Sequence, residues 1–143
     1  MLDELPIPKA KHDERSHKHD DYRLHFGPGH WDYMHRCAAN ANNDDRKKFI
    51  IDMLDMQCIS FGCETCRKDF MHLWVNEYSH NLAEYWNRYY KMKGKIYDVG
   101  MLLLTVDLHN EVNKKLGKPC MDYDTAINKY FFEECEDYVC TDH

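Results

Sequence analysis

DVGMLLLTVDLHNEVNKKLGKP, residues Asp98–Pro119, decides the fold of this chain. The first half is almost continuously apolar, but far shorter than the roughly 20 residues that cross a bilayer as a helix. The second half keeps a helical period, with Leu102, Val106, His109, Val112, Asn113 and Leu116 near one face. Gly117-Lys118-Pro119 then stops the helix, with glycine at its C-terminal cap and proline beyond. The stretch predicts a core helix from about Asp98 to Leu116.

Working outward, the same period recurs. Gly27-Pro28-Gly29 punctuates the chain, and Trp31, Met34, His35, Ala38 and Ala39 follow at spacings of three and four. Asn40–Asp45 ends this first helix and supplies caps for a second, carrying Phe49, Ile50, Met53, Leu54 and Met56 to about Phe61-Gly62. A third starts at Cys63 and carries Phe70, Leu73 and Trp74. Tyr85–Tyr90 fits either an extension of that helix or a separate one, and Met92–Lys95 reads as a turn. Asp124 or Thr125 is expected to cap a short fifth helix through Tyr130 and Phe131. No run of alternating strand residues stands out, so the expected fold is all-α, a four-helix bundle with a short fifth helix.

The expected boundaries are a polar arm at 1–24, a helical domain at 25–131 and a tail at 132–143 containing Cys135 and Cys140. The arm holds Pro6, Pro8 and a charged, histidine-containing run without apolar period, which is the composition of a solvated segment. At 143 residues a single core is expected, and a net charge of −6 argues against nucleic acid as a partner. The first residues lack the basic and apolar regions of a secretory signal, and no membrane span is expected. Seven cysteines in a chain read as cytoplasmic point to thiol chemistry or metal binding, and the odd number leaves at least one thiol outside any internal pair.

Cys63-Glu64-Thr65-Cys66 is the motif that carries this chemistry. Two thiols at this spacing close a small disulfide ring or share a metal. A helix starting there favours a thiolate through the positive end of its dipole. A thioredoxin-like site requires a βαβ unit that the pattern lacks. Structural zinc remains the alternative, as an interaction module using Cys63 and Cys66 with His72, Cys135 or Cys140. The helix at Asp98–Leu116 places His109 and Asn113 one turn apart, and Trp31 and His35 form a matching pair on the first helix. With Asn110, Lys115 and Lys118 alongside, the pattern suits a ligand with both aromatic faces and phosphates.

Taken in order, Gly27-x3-Trp31-x3-His35, Cys63-x-x-Cys66 and His109-Asn110-x-Val112-Asn113-x-Lys115-Leu116-Gly117-Lys118-Pro119 resemble the Erv/ALR family of FAD-dependent sulfhydryl oxidases over about residues 25 to 131. Phe26–Trp31 is similar in style to the members found in large cytoplasmic DNA viruses. The resemblance implies FAD at one end of the bundle and, in most members, a homodimer. It also implies oxidation of thiols in protein substrates, with electrons passing through Cys63 and Cys66 to FAD and then to dioxygen, giving hydrogen peroxide. Cys63 matches the cysteine that receives the substrate thiol, and Cys66 the one beside the flavin. Gly27, Trp31, His35, His109, Asn110, Val112, Asn113, Lys115, Lys118 and Tyr130 match cofactor-binding positions. No metal is implied. By analogy with viral relatives, the compartment is the host cytoplasm or the virion.

Three departures from the family stand out. The positions of its second disulfide are occupied by Val106 and Tyr123, so that link is absent, and Cys120 has no partner there. About a dozen residues centred on 80–95, rich in Tyr and Trp, are inserted, and are expected to serve as extra core or as an interface. Cys135 and Cys140 lie where relatives often carry a mobile shuttle dithiol; a tail disulfide or two separate thiols are the alternatives. Cys37 and Cys58 are expected as buried core thiols.

Overall fold

A computed structural model describes residues 27–60 and 64–133. Chain order within these residues is α1 (Gly27–Ala39), α2 (Asp44–Ser60), α3 (Glu64–Leu73), a π-helical continuation (Trp74–Tyr78) and α4 (Ala83–Trp86). A hairpin follows, β1 (Tyr89–Met92) and β2 (Lys95–Asp98), then α5 (Gly100–Leu116), α6 (Tyr123–Ile127) and a second π-helical turn (Asn128–Phe132). The architecture is mostly helical, as its periodicity requires.

α5 is the central element. Every residue from Gly100 to Val106 is buried, which a helix achieves only when neighbours cover it on all sides. Its start is fixed by close approach, since a Cβ on Gly100 would lie 1.7 Å from the Tyr85 carbonyl oxygen. Its end is the expected glycine cap: Gly117 is left-handed at φ +68°, and the Lys118 N–H returns to the Asn113 carbonyl at 2.8 Å. α1 lays Trp31, Met34, His35 and Ala38 into the core. α2 starts at an asparagine cap, the Asn43 Oδ1 accepting from the Arg46 N–H at 2.9 Å, with Asp44 and Asp45 in the positive first turn.

The hairpin corrects the expectation of no strands. Tyr89 pairs with Asp98, Tyr90 with Tyr97, Lys91 with Ile96 and Met92 with Lys95, leaving a two-residue turn. Lys93 and Gly94 both have positive φ, 51° and 79°, the geometry that matches the twist of two short strands. Only β1 alternates between exposed and half-buried positions, over four residues, while β2 has two exposed residues followed by two half-buried ones. The 80–95 stretch is part core and part surface: Tyr85 is buried and Trp86 and Tyr90 pack on the core, while Tyr89 is exposed; just beyond it Tyr97 packs on the core and Ile96 is exposed. It is anchored by Lys47, buried on α2, whose ammonium sits 2.6 Å from the Asp98 carboxylate and donates to the Trp86 carbonyl.

Two smaller expectations also change. Asp122, not Asp124 or Thr125, caps α6, because its carboxylate accepts the Thr125 N–H at 2.8 Å. Cys37 and Cys58 are half-buried at the edge of the core rather than within it, and the Cys58 thiol donates to the Leu54 carbonyl. The polar arm at 1–24 and the tail dithiol lie outside the described residues. None of the described helices is long and apolar enough to cross a membrane.

Gly100→Ala is expected to lower the unfolding free energy by at least about 2 kcal/mol, because the methyl meets immovable backbone rather than a flexible side chain. Urea denaturation of the variant checks this.

Candidate functional site

The aromatic pair on α1 and the polar face of α5 meet at one end of the bundle. The Trp31 and His109 rings stack with centroids 4.5 Å apart and planes 6° apart. His35 lies behind them at 1% exposure, its Nε2 3.1 Å from His109 Nδ1 and its Nδ1 2.9 Å from Thr105 Oγ1. The Thr105 hydroxyl donates to the Leu102 carbonyl at 2.9 Å, so its single proton is committed. His35 Nδ1 must then be the N–H donor to Thr105, and its Nε2 accepts from His109 Nδ1–H. His109 is left with an unprotonated Nε2. Four groups in a row thus set one tautomer.

Burial keeps both rings neutral. It pushes the His35 pKa down to about 3, with neighbouring His109 adding to the effect. His109 falls to about 4, first through burial and then through Lys118. Two imidazolium ions in contact would repel, and neither finds a carboxylate close enough to compensate for desolvation.

In front of this pair opens a cleft of about 640 Å³, within the range of small-molecule and cofactor sites. α3 contributes Cys66, Phe70 and Leu73, spaced so that one helical face looks into it. Cys66 is half-buried in the first turn of α3, one turn before the buried Phe70, whose ring meets Trp31 edge-on at 6.2 Å. α5 contributes His109, Val112, Asn113 and Lys115, and the loop beyond it Lys118 and Met121. Thr125, Lys129 and Tyr130 close the far side.

The far wall is tied down by polar contacts. The Tyr130 hydroxyl donates to Asp32 Oδ1 at 2.9 Å, and Arg36 Nε donates to Asp32 Oδ2 at 3.0 Å. Arg36 also lies 5.4 Å from the Tyr130 ring centre. Asp32 stays ionised at lower pH than usual despite some burial, because Arg36 and Tyr130 donate to it. Asp32 therefore lines the cleft with its charge already engaged. Lys115, Lys118 and Lys129 form no ion pair among the described residues and bring positive charge to the α5 and far sides of the cleft, while Asp69 brings an exposed carboxylate to the α3 side.

Of the residues singled out from sequence, Trp31, His35, Cys66, His109 and Tyr130 come together here, as do Val112, Asn113, Lys115 and Lys118. Asn110 does not line the cleft. Its amide makes a two-pronged tie to the Met121 backbone, donating to the carbonyl at 2.7 Å and accepting the N–H at 2.9 Å. It shapes the wall from behind. Gly27 opens α1. Cys63, Cys135 and Cys140 fall outside the described residues, and His72 is exposed, paired with Asn76. Among the described residues no three His, Cys, Asp or Glu side chains converge as metal ligands.

Sequence reasoning passed over Asp32, Phe70, Leu73 and Lys129. Phe70 and Leu73 were legible as core; their position four and seven residues after Cys66 is the signal that puts them on its face. Asp32 and Lys129 offer no such periodicity.

A helical bundle that opens an aromatic, lysine-edged cleft beside a cysteine of a C-x-x-C pair defines a class of small helical thiol-redox proteins. The chain matches the model of the Erv1 / Alr family over residues 28–132 and belongs to that family, whose general activity is FAD-linked sulfhydryl oxidation. No curated protein and no solved structure gives a match.

The depressed histidine pKa values have a sign that can be checked. Between about pH 6.5 and pH 3 the unfolded chain binds protons at His35 that the fold refuses, so stability is complete above pH 6.5 and is lost as pH falls. His35 alone should cost about 2 kcal/mol between pH 7 and pH 5. Thermal melts over that range should fall steeply for the native sequence and distinctly less for His35→Gln.

Proposed function

We propose that this chain is an FAD-dependent thiol oxidase that forms disulfide bonds in protein substrates, with Cys63 and Cys66 as its redox pair. The observation that carries the reading is Cys66 on the wall of an aromatic cleft whose lining includes Lys115, Lys118 and Lys129, none of them in an ion pair among the described residues. The residues suit the cofactor. A stacked Trp31–His109 face and the apolar side chains of Phe70, Leu73 and Val112 accept flat rings. Lys115, Lys118 and Lys129 match a pyrophosphate, and the His109 Nε2 lone pair accepts a hydrogen bond. Bound there, FAD supplies a two-electron acceptor that dioxygen regenerates with release of hydrogen peroxide.

The chain's own part is thiol–disulfide exchange. A substrate thiolate attacks the Cys63 sulfur, a new S–S bond forms, and the Cys63–Cys66 bond breaks with Cys66 leaving as a thiolate. A second substrate thiolate attacks the mixed disulfide and departs as the product disulfide, so the pair of electrons ends on Cys63 and Cys66. Position in the first turn of α3 favours the Cys66 thiolate, since the helix dipole and unsatisfied N–H groups there stabilise negative charge. Trp31, Phe70 and Leu73 keep water from the side of the cleft next to it.

The reading extends further. Tyr33, Phe49, Met56 and Ile59 expose large apolar surface on α1 and α2, which supports a homodimer joined through that face. Cys135 and Cys140, in an acidic segment beyond the cleft wall, are assigned as a shuttle dithiol between substrate and Cys63. The viral style of Phe26–Trp31 supports action in host cytoplasm or virion.

Purified protein should be yellow, and its visible flavin band should bleach under dithiothreitol without air; a colourless folded protein would sink the reading. Cys66→Ser should retain the flavin but lose at least about a thousandfold in thiol-dependent oxygen uptake. Cys135→Ser should spare small dithiols and slow oxidation of a reduced protein substrate. Equal rates on both would remove the shuttle assignment.

A further inference from the structure

The wall formed by residues 121–130 is one thin layer of chain, yet it carries Thr125, Lys129 and Tyr130 into the cleft. Asp32 and Asn110 hold it from the cleft side and from α5, and a second set of contacts holds it from behind. At its start, the Tyr123 hydroxyl reaches both oxygens of Asp107 on α5 at 2.8 Å. The same carboxylate takes the Tyr85 hydroxyl from α4 at 2.5 Å. The Arg88 guanidinium lies 5.8 Å from the ring centres of both tyrosines. Beyond its end, Tyr97 of β2 meets Phe131 edge-on at 5.6 Å and Phe132 at 5.1 Å. The segment from α4 to β2 thus reaches the wall at residue 123, through Arg88 and through the α5 carboxylate that Tyr85 and Tyr123 share, and at residues 131–132 through Tyr97, with the cleft-facing side chains between them. None of these gripping residues lines the cleft itself.

We propose that the α4–β2 segment is a brace for the cofactor cleft, and that Tyr85, Asp107, Tyr123 and Tyr97 are positioning residues that hold Lys129 and Tyr130 where they meet the ligand. The proposal rests on the reading of the cleft as an FAD site. The chemistry of the node suits the task. A carboxylate accepting two phenolic O–H donors makes short, charge-assisted bonds with defined direction, unlike apolar packing, which tolerates sliding. Burial and then the adjoining Asp107 raise the pKa of Tyr85 and, against the opposing effect of Arg88, of Tyr123, which keeps both hydroxyls protonated as donors at neutral pH. The ring contacts at Phe131 and Phe132 fix the other end without competing for the same groups. The brace contains no cysteine, so the thiols that such an enzyme consumes leave it closed.

The test uses the full chain with FAD as probe. Tyr85→Phe removes one hydroxyl and Tyr97→Leu one aromatic contact, both remote from the cleft; Ile50→Val, in the core between α2 and its neighbours, serves as a stability control. Native-state amide exchange at 121–130 should quicken on the order of tenfold in each brace variant, with α1 and α2 little changed. The FAD dissociation constant should rise by a similar factor, about tenfold, and stay near native in Ile50→Val. Exchange that quickens evenly through the bundle, or an unchanged 121–130, overturns the proposal. So does an unchanged FAD affinity in the brace variants. If the native chain takes up no FAD, the cofactor reading fails, and the exchange pattern alone decides whether the wall is braced. Should Tyr97→Leu not fold, Tyr85→Phe, which deletes a single oxygen, still gives both readings.

Discussion

The hydrogen bond between His35 and His109 is the contact on which the open end of the bundle depends. It joins α1 to α5 where both helices turn from apolar to polar faces. Without it, the fully buried His35 would leave its Nε2 unsatisfied in a place water does not reach. With it, and with Thr105 behind, the histidines form a neutral chain whose direction is set by a threonine proton. Trp31 then lies flat on His109, and everything that faces the cleft is built outward from that stacked pair.

The cleft also separates charge in a chain that is acidic as a whole. Asp32 gives its oxygens to Arg36 and Tyr130, and Asp122 gives one to the start of α6, so each is engaged inside the protein. The rim lysines make no ion pair among the described residues, and Lys129 lies over the Tyr130 ring. The opening therefore combines cationic side chains with an inner surface that is largely apolar. Cys66, in the first turn of its helix, faces the same space. Family membership and cleft chemistry thus rest on different observations and agree.

Much of this was legible in the chain because helical periodicity is a strong local signal. α1, α2, α5 and the Gly117 cap follow from residue spacing, and so does the pairing of His109 with Asn113 on one face. The hairpin was hidden because its strands are four residues long and rich in tyrosine, which serves helix and strand alike. Asn110 shows the limit of reading a motif by proximity: next to His109 in sequence, it turns away to hold Met121. Asp32 and Lys129 enter the cleft through a contact between the first helix and the last turn, and no local pattern reports a contact of that range.

That range has a consequence in time. Tyr130 and Asp32 stand 98 positions apart, and His35 and His109 stand 74 apart. During synthesis the first helix, the dithiol helix and the hairpin are all made before the residues that finish the cleft. Local helices form quickly, whereas contacts spanning most of the chain must first close a long loop. The contacts that close the cleft are thus among the longest in the chain, and they cannot form until Tyr130 has been made.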